Sequence, residues 1–285
     1  MALSITTTTA VDSSPGPSTY GQSVMFTATV TNADGTHVVP TGGVEFFDGA
    51  IDLGAGSILS GSDNTATSTF TIASLTAGSH SSITAVYTAS GSFLDSTSPD
   101  FTQAVTPAPL TITADDQSKV YGAALPTLTT SYTGFVNGDT VASLTTLPTL
   151  STTATPASHV AGNPYAITAS GAVDPDYAIS FVPGSLSVTP APLSITANDQ
   201  VKVYGTALPT LTASYTGFVN GDTPASLTTP ATLITTATAA SHVAGSPYAI
   251  TASGAVDPDY AISYAPGSLS VTPTPLTLTA DDQAK

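Results

Sequence analysis

The chain of 285 residues has no cysteine, no tryptophan and no arginine, its three basic residues all being lysine. Without cysteine there is no disulfide framework and no thiolate metal site. Glu45 is the only glutamate, so a carboxylate pair for glycoside hydrolysis would have to come from aspartates, whose spacing gives no support for one. No apolar run approaches the length of a membrane-spanning helix. Met1-Ala2-Leu3-Ser4 leads into threonines rather than a basic segment with an apolar run, so an export signal, if the protein is exported, is expected outside these residues. Only 8% of residues are charged, and long helix-forming polar side chains are too few to build amphipathic helices. Thr, Ser, Ala and Gly take their places. Threonine, branched at Cβ, suits the outward side of a pleated strand, and the chain reads as all-β.

A net charge of −16 and a pI near 4.1 surround the protein with an anionic field. That field repels phosphate backbones, which argues against nucleic-acid binding, and attracts divalent cations in a general way. The stronger signal is repetition. Residues 109–191 reappear nearly unchanged as 192–274, and Lys119, Lys202 and Lys285 mark the period, each 83 positions after the last. A unit of this length exceeds the roughly 20–50 residues of solenoid or propeller repeats, so each copy is expected to be a small domain with its own core. Residues 275–285 repeat the opening of a copy as far as its lysine, and read as the first strand of a truncated third repeat.

Residues 4–106 lie outside the repeat. Alternating segments at 23–30, 43–47, 67–72, 82–87 and 101–105, separated by Asn-Ala-Asp-Gly and Asp-Gly turn signals, give the density of short strands expected of a β-sandwich. The stretches TYGQSVMFTATVTN (19–32), PTGGVEFFDGAIDLGAG (40–56) and LTAGSHSSITAVYTASGSFLDSTS (75–98) resemble the bacterial Ig-like repeats of large surface proteins. That resemblance implies an Ig-like sandwich serving as a spacer and sometimes as a binding tip.

Each copy has its own pattern. Leu110, Ile112 and Ala114 alternate as a first strand, 128–132 form a second, Tyr165 and Ile167 share a face of another, and 177–181 leads through Pro183-Gly184 into 186–188 as a hairpin. A short helical turn is expected after Thr140, and in the second copy with Thr223 as N-cap and Pro224 at the first position. The motifs KVYG (119–122, 202–205), YTGFVNGD (132–139, 215–222), SHVAG (158–162, 241–245) and YAIS with PGSLSVTP (177–190, 260–273) resemble the MBG repeats of the YGX type found in giant bacterial adhesins. The resemblance implies extracellular, array-forming, mostly β domains related to the β-grasp, with no shared catalytic role. The expected division is 1–107 Ig-like, 108–190 and 191–273 the two copies, and 274–285 the opening of a third, set in a row. Thr-Pro-Ala-Pro-Leu at 106–110 and 189–193, and Thr-Pro-Thr-Pro-Leu at 272–276, read as extended joints near polyproline II geometry.

Candidate chemistry is sparse. Asp115 and Asp116, Asp174 and Asp176, and their counterparts Asp199, Asp257 and Asp259 supply the hard oxygen ligands calcium takes, and calcium at domain junctions would stiffen an array. The plainer reading is that Asp-Pro-Asp forms a turn whose carboxylates accept from nearby amides; Asp115 becomes Asn198, and no recognised calcium loop accompanies the pairs. No other cofactor is expected. His80, His159 and His242 each follow a serine, without a nucleophile elbow or a recognisable orienting acid, so no hydrolase is expected. Tyr121, Tyr132, Tyr165 and Tyr177 either fill cores or offer a stacking face to sugars. Lys119 is expected to pair with Asp116 or lie in solvent.

The function these readings favour is structural: a spacer segment of a large exported bacterial adhesin-like protein, outside the cell or on its surface, not an enzyme. Its partners would be neighbouring repeats, with glycans or a host or matrix surface as further candidates. The alternatives are a carbohydrate- or mucin-binding module using exposed tyrosines, and an accessory region of a secreted polysaccharide-degrading enzyme.

Overall fold

The structure, a computed structural model, describes residues 4–283. Among these residues the only helical elements are four single 3-10 turns, two in each copy, and everything else regular is strand. The turn after Thr223 forms as expected: Pro224 opens it and the Thr223 N–H donates to Ser226 Oγ at 3.1 Å. The second turn, Val243–Gly245, falls in SHVAG and was not expected.

The chain divides into two compact units, Met1–Ala114 with Thr130–Leu150 and Thr168–Val182 in one, and Asp115–Thr129 with Ser151–Ile167 and Pro183–Lys285 in the other. In the first unit an Ig-like sandwich is built from two sheets. Thr7–Ser14, Val24–Asn32, Thr65–Ile72 and Ser60–Ser62 form one, in that order. Ser18–Thr19, Phe101–Thr106, Gly78–Ala89, Gly42–Asp48 and Ile51–Ala55 form the other in that order, with Ser96–Thr97 also paired to Gly78–Ala89. Alternation decides the faces: Val24, Phe26, Ala28 and Val30 point inward from one strand while Met25 points out. Phe26 stacks on Phe46 at 6.3 Å and Phe46 on Phe70 at 5.8 Å, which supplies the aromatic volume of a core without tryptophan.

The same unit holds the first copy's three-stranded sheet, in which Ala108–Ala114 lies between Thr130–Thr133, antiparallel, and Tyr177–Val182, parallel. The second copy, wholly in the other unit, repeats this sheet with Ala191–Ala197 between Ala213–Thr216 and Tyr260–Ala265. Its second sheet runs Gln200–Val203, Gly267–Thr272, Tyr248–Ser253, Thr232–Thr235. Leu193, Ile195, Ile250 and Leu269 are fully buried between the two, each side chain worth about 1.5–3 kcal/mol of burial. Leu110, Ile112, Ile167 and Leu186 are equally buried at the matching positions of the first copy.

The closing hairpin expected of each copy does not form. Tyr260–Ala265 joins the sheet of the opening strand, whereas Gly267–Thr272 joins the other sheet, pairing with Tyr248–Ser253 and Gln200–Val203. Gly267 is taken into its strand opposite Ile250, so only Pro266 separates the two strands. A tight hairpin needs two turn residues. The chain passes between sheets instead, and Tyr177–Val182 and Gly184–Thr189 do the same in the first copy.

Two of the three joints read as polyproline-like, 106–110 and 189–193, run into strand. Ala108 and Ala191 begin their strands, both buried, and the Ala191 N–H donates to the Asp259 carbonyl at 2.8 Å. Residues 273–283 form no strand, and Leu276 and Leu278 are 84% and 87% exposed. Ala284 and Lys285, the end of the segment read as an opening strand, lie outside the described residues.

Candidate functional site

The features with the most chemistry lie where one domain's Tyr-Gly dipeptide meets the loop and closing strands of the next copy. In the second unit, KVYG ends the strand Gln117–Val120 and sets Tyr121 and Gly122 against residues 219–222 of the second copy. The Tyr121 hydroxyl donates to Asp222 Oδ2 at 3.1 Å, and the Tyr260 hydroxyl donates to the same oxygen at 2.6 Å. The two rings meet edge to face at 5.6 Å. Tyr260 also accepts the Val219 N–H at 3.2 Å, so one phenol ties the loop to the carboxylate. Gly122 has φ +79°, and a Cβ there would stand 2.5 Å from Val219 Cγ2. Only glycine fits, for both backbone and contact.

In the first unit the Ig-like domain makes the same device with TYGQ. The Tyr20 hydroxyl donates to Asp139 Oδ2 at 3.0 Å, Tyr177 donates to it at 2.7 Å, and the rings cross edge to face at 5.5 Å. Gly21 has φ +81° and faces Val136 at 2.5 Å from the position of a Cβ. Two domains of unrelated sequence therefore present one dipeptide to the same receiving surface. Burial, and then the neighbouring carboxylate, push the hydroxyls of Tyr177 and Tyr260 well above the ordinary tyrosine range. The Tyr177 and Tyr20 hydroxyls hold Asp139 below the ordinary carboxylate value, so its contribution is present above about pH 4 and fades as pH falls through the lowered folded-state value.

The Asp-Pro-Asp aspartates serve the same junctions. Asp176 Oδ1 accepts the Ala77 N–H of the Ig-like domain at 2.5 Å. Asp259, its counterpart, accepts the Val160 N–H at 2.6 Å through Oδ1 and meets His159 Nδ1 at 2.5 Å through Oδ2. The first aspartate of each pair acts locally: Asp174 accepts from Thr145 N and Oγ1, and Asp257 from Thr228 N and Oγ1. Asp116 and Asp199 each take the N–H and hydroxyl of a serine, Ser185 and Ser268, and Asp115 accepts from Thr129 Oγ1 at 2.7 Å. Among the described residues no three carboxylate, imidazole or thiol side chains are grouped to hold a metal ion. Calcium is expected to bind at millimolar strength or weaker; calorimetry giving micromolar affinity with a raised melting temperature would instead assign an ion site to these aspartates.

Two of the three histidines that follow a serine, His80 and His159, do have acidic partners, which the serine-histidine pattern did not suggest. His80 Nδ1 meets Asp48 Oδ2 at 2.6 Å and its Nε2 meets the Thr76 carbonyl at 2.9 Å, leaving neither nitrogen to serve as a base. Burial opposes the His80 charge, but the Thr76 carbonyl and the Asp48 carboxylate outweigh it and raise the pKa above 6.5. Because the folded-state value is the higher one, this stabilisation is complete below about pH 6.5 and is lost as pH rises through the folded value. Unfolding of the Ig-like domain followed from pH 5 to 9 is expected to show that loss, and Asp48→Asn to flatten it.

Lys119 and Lys202, the lysines among the described residues, are buried rather than in solvent, and Lys119 does not pair with Asp116. Lys119 is buried, and its ammonium donates to the carbonyls of Ala123 and Pro156 at 3.1 and 2.9 Å. Lys202 reaches Thr238 and Ala239 at 3.2 and 2.9 Å. Period-two alternation places Lys119 on the face of buried Tyr121, a signal that could have been read. Lys202→Met keeps the stem but removes the donors, and is expected to cost about 1–2 kcal/mol in denaturant unfolding.

A family model for the MBG domain (YGX type) matches residues 110–187 and again 193–270. One for the bacterial Ig-like domain (group 3) matches residues 11–106. No curated protein matches the chain. Among solved structures, the three N-terminal domains of the bacteriophage RB49 highly immunogenic outer capsid protein align over 93% of this chain and 99% of theirs, at 11% identity and a TM-score of 0.26. The mouse nectin-like molecule 4 ectodomain aligns over 63% of each chain, at 14% identity and a TM-score of 0.22. At those scores neither likeness bears on fold or function.

Proposed function

Because the chain belongs to the MBG domain (YGX type) family and carries a bacterial Ig-like domain of group 3 ahead of its two copies, we propose that it is a spacer segment of a large exported bacterial surface protein of the adhesin type. Domains of these two kinds typically occur in extracellular or surface proteins and are generally non-catalytic. No helix among the described residues is long and apolar enough to cross a membrane. The observation that carries the reading is the recurrence of one junction. Tyr20-Gly21 on Val136 and Asp139, and Tyr121-Gly122 on Val219 and Asp222, use the same bonds and ring geometry. A receiving surface used identically by two different predecessors suits a modular array whose partners are its own neighbours. Tyr87, Tyr121, Tyr177 and Tyr260 are buried, which supports this reading over a sugar-stacking face for those four, while Tyr204 and Tyr264 are each 40% exposed.

The test is an in-register deletion of residues 192–274 in the producing bacterium. Attachment mediated by the whole protein is expected to weaken with the shortened reach, and to return when an unrelated domain of similar length replaces the deleted copy. Failure of the unrelated domain to restore attachment, with the protein still displayed, would contradict the spacer reading and favour a ligand-binding role.

A further inference from the structure

Tyr204, Gly205, His242 and Val243 stand in the second copy where Tyr121, Gly122, His159 and Val160 stand in the first. The two sets are built alike. Gly205 has φ +84° and Gly122 +79°; Tyr204 stacks on His242 at 5.2 Å and Tyr121 on His159 at 5.4 Å. The Tyr204 N–H donates to the Thr272 carbonyl at 2.9 Å, as Tyr121 does to Thr189 at 2.8 Å. What differs is the cover. Tyr121 is 3% exposed beneath Tyr260 and Asp222, whereas Tyr204 is 40% exposed and Val243 41%. A Cβ at Gly205 would meet nothing within 4 Å, where one at Gly122 would strike Val219. The bare surface is an open, mostly apolar depression bordered by Pro273 and Leu276. Residues 275–280 leave it with the opening-strand pattern of Leu193, Ile195 and Ala197 repeated as Leu276, Leu278 and Ala280.

We propose that the face around Tyr204, Gly205 and His242 is a docking site for a further YGX-type domain on the same polypeptide, with residues 275–280 as its opening strand. The occupant is specified by the covered counterpart. It would bring a valine to Gly205, an aspartate and a buried tyrosine to the Tyr204 hydroxyl, and a second aspartate to His242 and the Val243 N–H, as Val219, Asp222, Tyr260 and Asp259 do one repeat earlier. The site is preformed, so docking adds contacts without remodelling the second copy. The inference does not depend on the protein being a spacer or on where it resides.

The test lengthens the chain by repeating residues 203–273 after Lys285, which stands at the position of Lys202 and so completes a third copy. Amide exchange at Val243 is expected to slow by roughly tenfold or more relative to the 285-residue chain. Changing to alanine the two aspartates of the added copy that match Asp222 and Asp259 is expected to reverse that. The proposal is overturned if residues 276–280 become protected while Val243 exchanges as before. It is equally overturned if the added copy stays unfolded beside this face. Slowing already present in the unlengthened chain and dependent on its concentration would also overturn it, because the occupant would then be a second molecule.

Discussion

Gly122→Ala is expected to weaken the second copy's hold on the preceding Tyr-Gly turn by about 2–4 kcal/mol, the sum of a left-handed backbone penalty and overpacking against Val219. The methyl would stand 2.5 Å from Val219 Cγ2 at φ +79°, so both faults arise together. Gly205→Ala separates them, since φ there is +84° with open space ahead. It is expected to cost only the backbone part, about 1–2 kcal/mol. Amide exchange at residues 219–222 and denaturant unfolding of the two variants measure the difference. Equal costs would mean that the valine contact contributes nothing.

Asp222→Ala is expected to cost about 2–4 kcal/mol, because one carboxylate oxygen serves two largely buried phenols that would then face a void. Tyr260 is 6% exposed and Tyr121 3%, so water cannot readily replace the lost acceptor. Tyr260 also accepts the Val219 N–H, and the loss is therefore expected to spread into residues 217–222 as faster exchange. Asp222→Asn should retain more of the stability, its carbonyl still accepting one hydroxyl. Parity of the alanine variant with the original protein would remove the carboxylate from the account.

Most of the architecture was legible because it rests on period-two alternation and on self-comparison. Val24 to Val30, Leu110 to Ala114 and Ile195 declare their faces by themselves, and repetition identified the copies without any folding argument. The partners of the strands were not legible. Tyr177–Val182 and Gly184–Thr189 look like a hairpin in sequence, and their separation into two sheets follows from long-range pairings with Ala108–Ala114 and Gln117–Val120. The aspartates read either as calcium ligands or as turn residues accepting nearby amides; that Asp176 and Asp259 accept backbone amides of the preceding domain depends on a neighbour roughly a hundred positions away, which no local pattern announces. The junction itself left a trace that could have been read. Tyr-Gly occurs as TYGQ in the Ig-like segment and as KVYG in each copy, although the two kinds of domain otherwise differ widely in sequence.

The central claim is that Tyr-Gly and its receiving aspartate join successive domains as a coupled pair, and a double-mutant cycle tests it most directly. Tyr121→Phe, Asp222→Ala and the two combined would be compared by the opening free energy of amides in Ala191–Ala197, the buried first strand of the second copy. The expected result is a coupling energy of about 1 kcal/mol or more, the double variant losing less than the sum of the singles. Additivity within about 0.3 kcal/mol would contradict the account, leaving the two side chains as neighbours that bear no shared load.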